Sequence, residues 1–143
     1  SRVTLHVGPG TFLPIRVDAL DEHRMLPERF SISPEVAMEI EATRARNGRI
    51  VAVGTTTVRA LESAAAASGR VLPCSANSTT LFIRPGFAFR AVDALLTNFH
   101  LPRSTLLALV YAFGGRDLIR SAYDTAIREA YRFYSYGDAM LIV

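Results

Sequence analysis

The chain has 143 residues, half of them apolar, and a formal net charge of +3. This length fits one domain with its own core, and no apolar run approaches the roughly 20 residues of a membrane-spanning helix, so we expect a soluble globular chain. All 16 basic residues are arginines, which excludes chemistry that needs a lysine of this chain, such as a Schiff base.

The cysteine and histidine content points away from disulfides and metals. A single cysteine, Cys74, rules out an intrachain disulfide, and the first residues lack the charged and apolar regions of a signal peptide. The cytoplasm is therefore the expected location. Cys74 and the three histidines lack the spacing of a zinc site, so no metal is predicted. The modest positive charge permits a phosphate-rich partner without requiring one.

The first element is a predicted strand over residues 3–7, where apolar and polar side chains alternate. A tight turn follows at residues 8–11, where two glycines let the backbone approach a ligand closely. The competing interpretation is a hairpin turn beside a hydrogen-bonded His6. Residues 12–17 predict a second strand, at a sheet edge because it contains a proline, and residues 18–30 predict irregular structure.

A helix, a strand and a second helix come next. Ser33 and the proline after it predict a helix that ends at residues 47–48. Residues 50–53 are apolar and mostly β-branched, which predicts a strand buried on both faces. Gly54 ends the strand, and the second helix should begin at Thr55 or Thr56 with a threonine oxygen as its cap.

The start of this second helix predicts an anion-binding turn. Its free N–H groups and the positive end of its dipole would face a ligand carboxylate or phosphate. The same junction is common in α/β proteins that bind nothing there, so both interpretations stay open. Arg59 and Glu62 fall on one helix face, opposite the core-facing stripe. They would form either an ordinary surface pair or a clamp for a charged ligand.

The middle of the chain predicts a loop at residues 68–80 and short strands at residues 81–83 and 87–89. A buried strand should then cover residues 92–99. Asn98 lies at its carboxyl end, where an α/β sheet normally presents ligand groups.

His100 lies in the same region, just past that strand. A histidine there fits a general base, a ligand contact or a structural hydrogen bond.

The last third predicts two helices and a strand. Ser104 should cap a buried helix over residues 105–113, and an amphipathic helix should cover residues 116–131. The arginines of that second helix make either a solvated face or a contact with nucleic-acid phosphates. Aromatic residues then crowd before a Gly-Asp turn and a final strand, as a core cluster or as a base-stacking platform.

Four motifs stand out along the chain. They are LHVGPGTF at residues 5–12, VGTTTVR with LES at residues 53–63, TNFHLP with STL at residues 97–106, and YRF with SYGDAM at residues 131–140. Together and in this order they resemble the bacterial S-adenosylmethionine:tRNA ribosyltransferase-isomerase family of queuosine biosynthesis, and the resemblance covers essentially the whole chain. The chain resembles the C-terminal portion of such an enzyme, without the N-terminal part that carries a β-barrel domain and another active-site segment.

The resemblance implies an α/β fold, with a mixed, largely parallel sheet flanked by helices, in a single domain over residues 1–143. It implies transfer and isomerisation of the ribosyl portion of S-adenosylmethionine onto 7-aminomethyl-7-deazaguanine at the tRNA wobble position. The products would be epoxyqueuosine, adenine and methionine. S-adenosylmethionine is then a substrate, no cofactor is needed, no membrane is involved, and the enzyme is expected to be a monomer.

The resemblance also implies roles for individual residues. His100 is the base or orients the adenine, His6 is the second choice, and Asp138 steers the amine or its proton. The helix start after Gly54, together with Arg59, holds the methionine carboxylate or a tRNA phosphate. The full set of predicted substrate-binding residues is Gly8, Gly10, Thr11, Gly54, Thr55, Thr56, Arg59, Glu62, Asn98, Ser104, Arg132 and Tyr136.

Two other classes of function remain open for this sequence. A non-catalytic tRNA-binding module would bind RNA with a steep salt dependence but release no adenine. A generic α/β adenine-nucleotide-binding enzyme would bind the nucleotide and ignore tRNA.

Overall fold

The computed structural model describes residues 1–135 and 137–143. Within them the chain forms two three-stranded sheets and four α-helices. The strands are β1 (Thr4–His6), β2 (Glu28–Ile32), β3 (Val51–Val53), β4 (Cys74–Thr79), β5 (Ala94–Asn98) and β6 (Ala139–Ile142). The helices are α1 (Pro34–Ala45), α2 (Thr55–Ala65), α3 (Thr105–Gly114) and α4 (Arg116–Arg128). The predicted α/β class is confirmed.

The first sheet has the order β1-β2-β4 and is antiparallel throughout. Its central strand, β2, lies where irregular structure was predicted, whereas residues 12–17 form no strand among the described residues. Phe30 and Ile32 face the core while Arg29 is exposed, so the strand does alternate. The pattern is hard to recognise because Glu28 occupies a buried position where an apolar residue is normal.

The second sheet has the order β3-β5-β6. β3 runs parallel to β5 and β6 antiparallel to it, so the prediction of one largely parallel sheet is corrected to two sheets with a single parallel pair in the described chain. Residues 50–53 were predicted to be buried on both faces, which is also wrong. Ala52 is buried, but Val51 and Val53 are 51% and 66% exposed because they lie on the other face of the sheet, where Leu96 and Leu141 of the neighbouring strands are exposed as well.

β4 occupies part of the predicted loop, and the described residues show no strand at 81–83 or 87–89. Most side chains of β4 are exposed and polar, since this edge strand is held by backbone pairing to β2 rather than by an apolar face. Composition alone therefore could not distinguish it from a loop.

Two of the three predicted helix caps are present in the structure. The Ser33 side chain accepts a bond from Val36 N at 3.4 Å and that of Ser104 accepts one from Leu107 N at 3.1 Å, which confirms both predicted caps. At α2 the predicted threonine cap is wrong. Gly54, with φ of 90°, precedes the first turn, and no side chain of the described residues caps it. Thr57 Oγ1 instead donates to Val53 O at 2.7 Å.

The core lies between the sheets and helices as one cluster that includes Val58, Leu95 and Val110, all fully buried. α2 contacts strands of both sheets and so joins them. Among the described residues, no helix has both the length and the apolar character needed to cross a bilayer.

Candidate active site

The turn after β1, a single 3-10 turn at Pro9–Thr11, is anchored on the carboxylate of Glu28. Gly8 N donates to Glu28 Oε1 at 2.7 Å, and Thr11 Oγ1 donates to the same oxygen at 2.6 Å. Burial raises the pKa of Glu28, but these two bonds and the positive charge of Arg59 outweigh it and leave the pKa lowered. Glu28 is therefore a carboxylate at neutral pH, in the core, bound to the predicted ligand-approach turn.

Arg59 lies inside the protein, at 3% exposure. Its Nη1 contacts Glu28 Oε2 and donates to Thr11 Oγ1 at 2.9 Å, and its Nε donates to Leu81 O at 3.1 Å. Among the described residues its Nη2 has no partner. Arg59 therefore joins α2 to β2 and to the turn after β1.

Glu62 is also buried, at 2% exposure, and it does not pair with Arg59. Its carboxylate accepts the backbone N–H groups of Arg90, Ala91 and Val92 at 2.9, 2.9 and 3.2 Å. Of the two predicted alternatives, the ordinary surface pair is wrong, because α2 packs against strands of both sheets and both side chains are buried. Glu62 holds the segment that leads into β5.

His100 follows β5 and is 8% exposed. Its Nε2 lies 2.8 Å from Thr97 Oγ1, and its backbone N–H donates to the Tyr123 hydroxyl at 2.7 Å. Burial lowers the pKa of His100 to about 4, so the ring is neutral at neutral pH. Burial also raises the pKa of Tyr123 to about 12, which keeps that hydroxyl protonated.

A cavity of about 100 Å³ lies between the His100 segment and the turn after β1. Thr11 and Ser104 line it together with His100. Thr105 Oγ1 donates to Thr11 O at 3.2 Å, and Ile15 N donates to Arg103 O at 2.7 Å, so the two segments are bonded to each other. A larger open groove of about 800 Å³ runs beside α1 and β3, but none of the predicted site residues that the structure describes lines it.

The C-terminal motif lies against the same end of β5. Asn98 Nδ2 donates to the backbone oxygen of Asp138 at 3.2 Å, and Tyr134 N donates to Phe99 O at 2.8 Å. Arg132 donates to the Asp138 carboxylate through its backbone N and through Nε at 3.2 Å. Hydrogen bonds from the Arg132 side chain and then its backbone lower the pKa of Asp138. Tyr136 lies outside the described residues.

The start of α2 also lies beside β5, because Gly54 N donates to Leu96 O at 2.8 Å. Thr55 is buried at this point, and Thr56 is partly exposed. The start of α2, Asn98, His100 and Asp138 thus lie around the carboxyl end of β5, whereas Glu62 bonds the segment before its amino end. His6 differs from them: it is exposed on β1, pairs in register with Arg29, and is not among the described residues that line the His100 cavity.

Three residues that the sequence did not single out belong to this arrangement. Glu28 organises the turn, Thr97 bonds the imidazole, and Tyr123 bonds the backbone at His100. Of the three, only Thr97 could have been found from the sequence, because it lies three positions before His100 in the same motif. In the described part of the chain, no group of three or more histidine, cysteine, aspartate or glutamate side chains could hold a metal ion.

A family model described as "Queuosine biosynthesis protein" matches residues 1–142. The chain belongs to this family. A relative from Anaeromyxobacter dehalogenans, named S-adenosylmethionine:tRNA ribosyltransferase-isomerase, is 64% identical over 141 residues, which is 99% of this chain and 40% of that protein. A relative of the same name from Ralstonia pickettii is 60% identical over 98% of this chain and 39% of its own length.

A solved family structure agrees with the fold. The crystal structure of S-adenosylmethionine tRNA ribosyltransferase from Thermotoga maritima superposes with a TM-score of 0.74 at 52% identity, covering 81% of this chain and 41% of that one. The chain therefore spans about 40% of the length of the family members it matches.

Proposed function

We propose that the full-length protein containing this chain is an S-adenosylmethionine:tRNA ribosyltransferase-isomerase. Relatives with that name share about 60% identity with nearly all of the chain. The observation that carries the proposal is the placement of His100, Thr11 and Ser104 around one cavity at the carboxyl end of β5. The substrates are S-adenosylmethionine and tRNA that carries 7-aminomethyl-7-deazaguanine, with no additional cofactor.

The proposed reaction starts at the sulfonium of S-adenosylmethionine. The positive sulfur acidifies the hydrogens on C5′, so a base of ordinary strength removes one of them and leaves an ylide. The C1′–N bond then breaks, and adenine leaves with the electron pair and takes up a proton. The aminomethyl nitrogen of the tRNA base attacks the sugar and loses a proton as the new N–C bond forms. The C5′–S bond breaks with its electrons on sulfur, which releases methionine and leaves the sugar on the tRNA as the epoxide of epoxyqueuosine.

His100 has two possible roles in that reaction, and its surroundings bear on both. The neutral ring has a lone pair to accept a proton, and if Nε2 donates to Thr97 the free lone pair is on Nδ1. A pKa of about 4 nevertheless makes the imidazole a weak base. This favours the role in which His100 orients the departing adenine by a hydrogen bond.

The contacts support proposals for the remaining residues. The ionised Asp138, fixed by Arg132 beside Asn98, steers the incoming amine or its proton. The start of α2 at Gly54–Thr56 holds the methionine carboxylate or a tRNA phosphate. Arg59 acts mainly by fixing Thr11, since most of its donors are already used in the core.

Two substitutions of His100 separate its roles in the full-length enzyme. His100→Ala should lower the rate of adenine release by about two orders of magnitude or more. His100→Gln keeps a hydrogen-bonding side chain but accepts no proton at neutral pH, so it should recover much of the loss if the ring orients adenine. A matched Leu118→Ala change, on the exposed surface of α4, should leave the rate unchanged. Near-normal turnover in His100→Ala would contradict the assignment.

The location and the oligomeric state of the enzyme are also proposals. We propose that the full-length enzyme is a monomer and that it works in the cytoplasm, where its proposed tRNA substrate is found. Sedimentation equilibrium of the full-length protein would measure its mass, and a dimer would contradict the proposal.

A further inference from the structure

Two aromatic side chains that line the His100 cavity are exposed. Phe12 is 57% exposed and Tyr134 is 40% exposed, and both line the cavity. The aromatic rings of Phe99, Tyr123 and Phe133 behave differently, because they pack on one another with centroids 5.2 to 5.7 Å apart. Large apolar side chains left together in solvent mark a binding surface more often than scattered ones do.

The backbone at both rings is held in place although the rings are exposed. Phe12 N donates to Pro9 O at 3.1 Å, directly after Thr11, whose hydroxyl is bonded to Glu28 and Arg59. Tyr134 has a φ of 68°, and its N–H donates to Phe99 O. Side chains on such fixed backbones lose little entropy when they contact a flat ligand.

The polar groups of the cavity suit a nitrogen heterocycle. His100 lines it with a neutral ring, and the Arg103 side chain lies at its exposed rim. Ser104 is less available, because its hydroxyl already donates to Leu101 O at 2.7 Å and accepts from Leu107 N. Nucleobases taken out of a stack are held in this manner, between apolar or aromatic walls and beside a few hydrogen-bonding groups.

We propose that the His100 cavity binds a planar bicyclic base, with Phe12 and Tyr134 as its stacking surfaces. The inference rests on the proposed function, which supplies two such bases: the adenine of S-adenosylmethionine and the 7-deazaguanine of the tRNA. Phe12 and Tyr134 then position the base for the reaction.

The test uses the full-length enzyme and two separate titrations, one with S-adenosylmethionine and one with precursor-bearing tRNA. Phe12→Ala and Phe12→Leu should each weaken binding of one ligand by about 10-fold or more, because leucine keeps apolar bulk but has no π face. Phe12→Tyr should stay near wild-type affinity. Tyr134→Ala should match Phe12→Ala, with Tyr134→Phe near wild type.

Leu118→Ala is the matched control, since Leu118 is 63% exposed on α4 and should not affect either affinity. Thermal unfolding of each variant serves as a second readout, and Phe12→Ala should leave it unchanged. The ligand that loses affinity identifies the base: S-adenosylmethionine indicates adenine, and tRNA indicates the 7-deazaguanine.

Other outcomes would overturn the inference. Unchanged affinities, equal weakening of both ligands, or full affinity in Phe12→Leu would contradict stacking. A large loss of thermal stability in Phe12→Ala would show instead that the rest of the full-length protein covers this patch. If the wild-type enzyme releases adenine but the variants bind both ligands with normal affinity, this inference is wrong and the proposed function stands. If the wild-type enzyme binds neither ligand, both the inference and the proposed function are wrong.

Discussion

Removing the charge of the buried Glu28 carboxylate should lower the free energy of unfolding substantially. Glu28→Gln keeps the size of the side chain and removes its charge. The new amide oxygen still accepts from Gly8 or Thr11, but Arg59 loses its counter-charge inside the core, where it is 3% exposed. Breaking a buried ion pair in this way costs about 3–5 kcal/mol. Since domains are stable by about 5–15 kcal/mol, the variant should lose about a fifth of its stability or more.

Urea unfolding measures this loss, and the chain contains a matched control. Glu41 pairs with Arg70 at 2.8 Å on the surface, where the two side chains are 34% and 64% exposed, so Glu41→Gln should cost about 0–1 kcal/mol. The double variant Glu28→Gln, Arg59→Met leaves no unpaired charge and should be less destabilised than the two single changes combined. If Glu28→Gln costs no more than Glu41→Gln, the buried network is not what holds the turn after β1.

Three further predictions concern groups near the same site. Glu62→Gln should lower the unfolding free energy by about 1–3 kcal/mol, because three backbone N–H groups lose a charged acceptor; a loss within experimental error would argue against this. The folded state lowers the pKa of His100 from 6.5 to about 4, so the unfolded chain binds that proton first. Stability should therefore fall by up to roughly 3 kcal/mol as pH drops from about 6.5 to 4, and His100→Asn should reduce that slope; a flat wild-type profile would contradict the assignment. Gly54→Ala should cost about 1–3 kcal/mol because φ at this position is 90°, and an unchanged melting temperature would count against it.

Local chemistry explains which elements could be predicted. Ser33 and Ser104 cap their helices through a side-chain oxygen and a backbone N–H three residues on, and this geometry is contained in a few consecutive residues. Gly115, with φ of 78°, separates α3 from α4 for a similarly local reason. The elements that were missed, β2 and β4, depend on distant partners: β2 has a carboxylate on its buried face, and β4 has little buried face at all.

The site could be predicted as a set of motifs but not as a set of contacts. The sequence pointed to Thr11, Arg59 and His100. In the structure Arg59 bonds the Thr11 hydroxyl, and Thr11 lines the same cavity as His100. Nothing local showed that Arg59 bonds Glu28, 31 positions away. Whether an arginine lies on a surface or in a core depends on what packs against its helix. Strands of both sheets pack against α2, which carries Arg59.

The most direct test of the central claim is mass analysis of tRNA nucleosides after reaction. The full-length protein would be incubated with S-adenosylmethionine and tRNA that carries 7-aminomethyl-7-deazaguanine. We predict that the precursor nucleoside is converted to epoxyqueuosine while adenine and methionine appear in equal amounts, and that tRNA without the precursor gives neither. An unaltered precursor nucleoside, in a preparation shown to bind both substrates, would contradict the account.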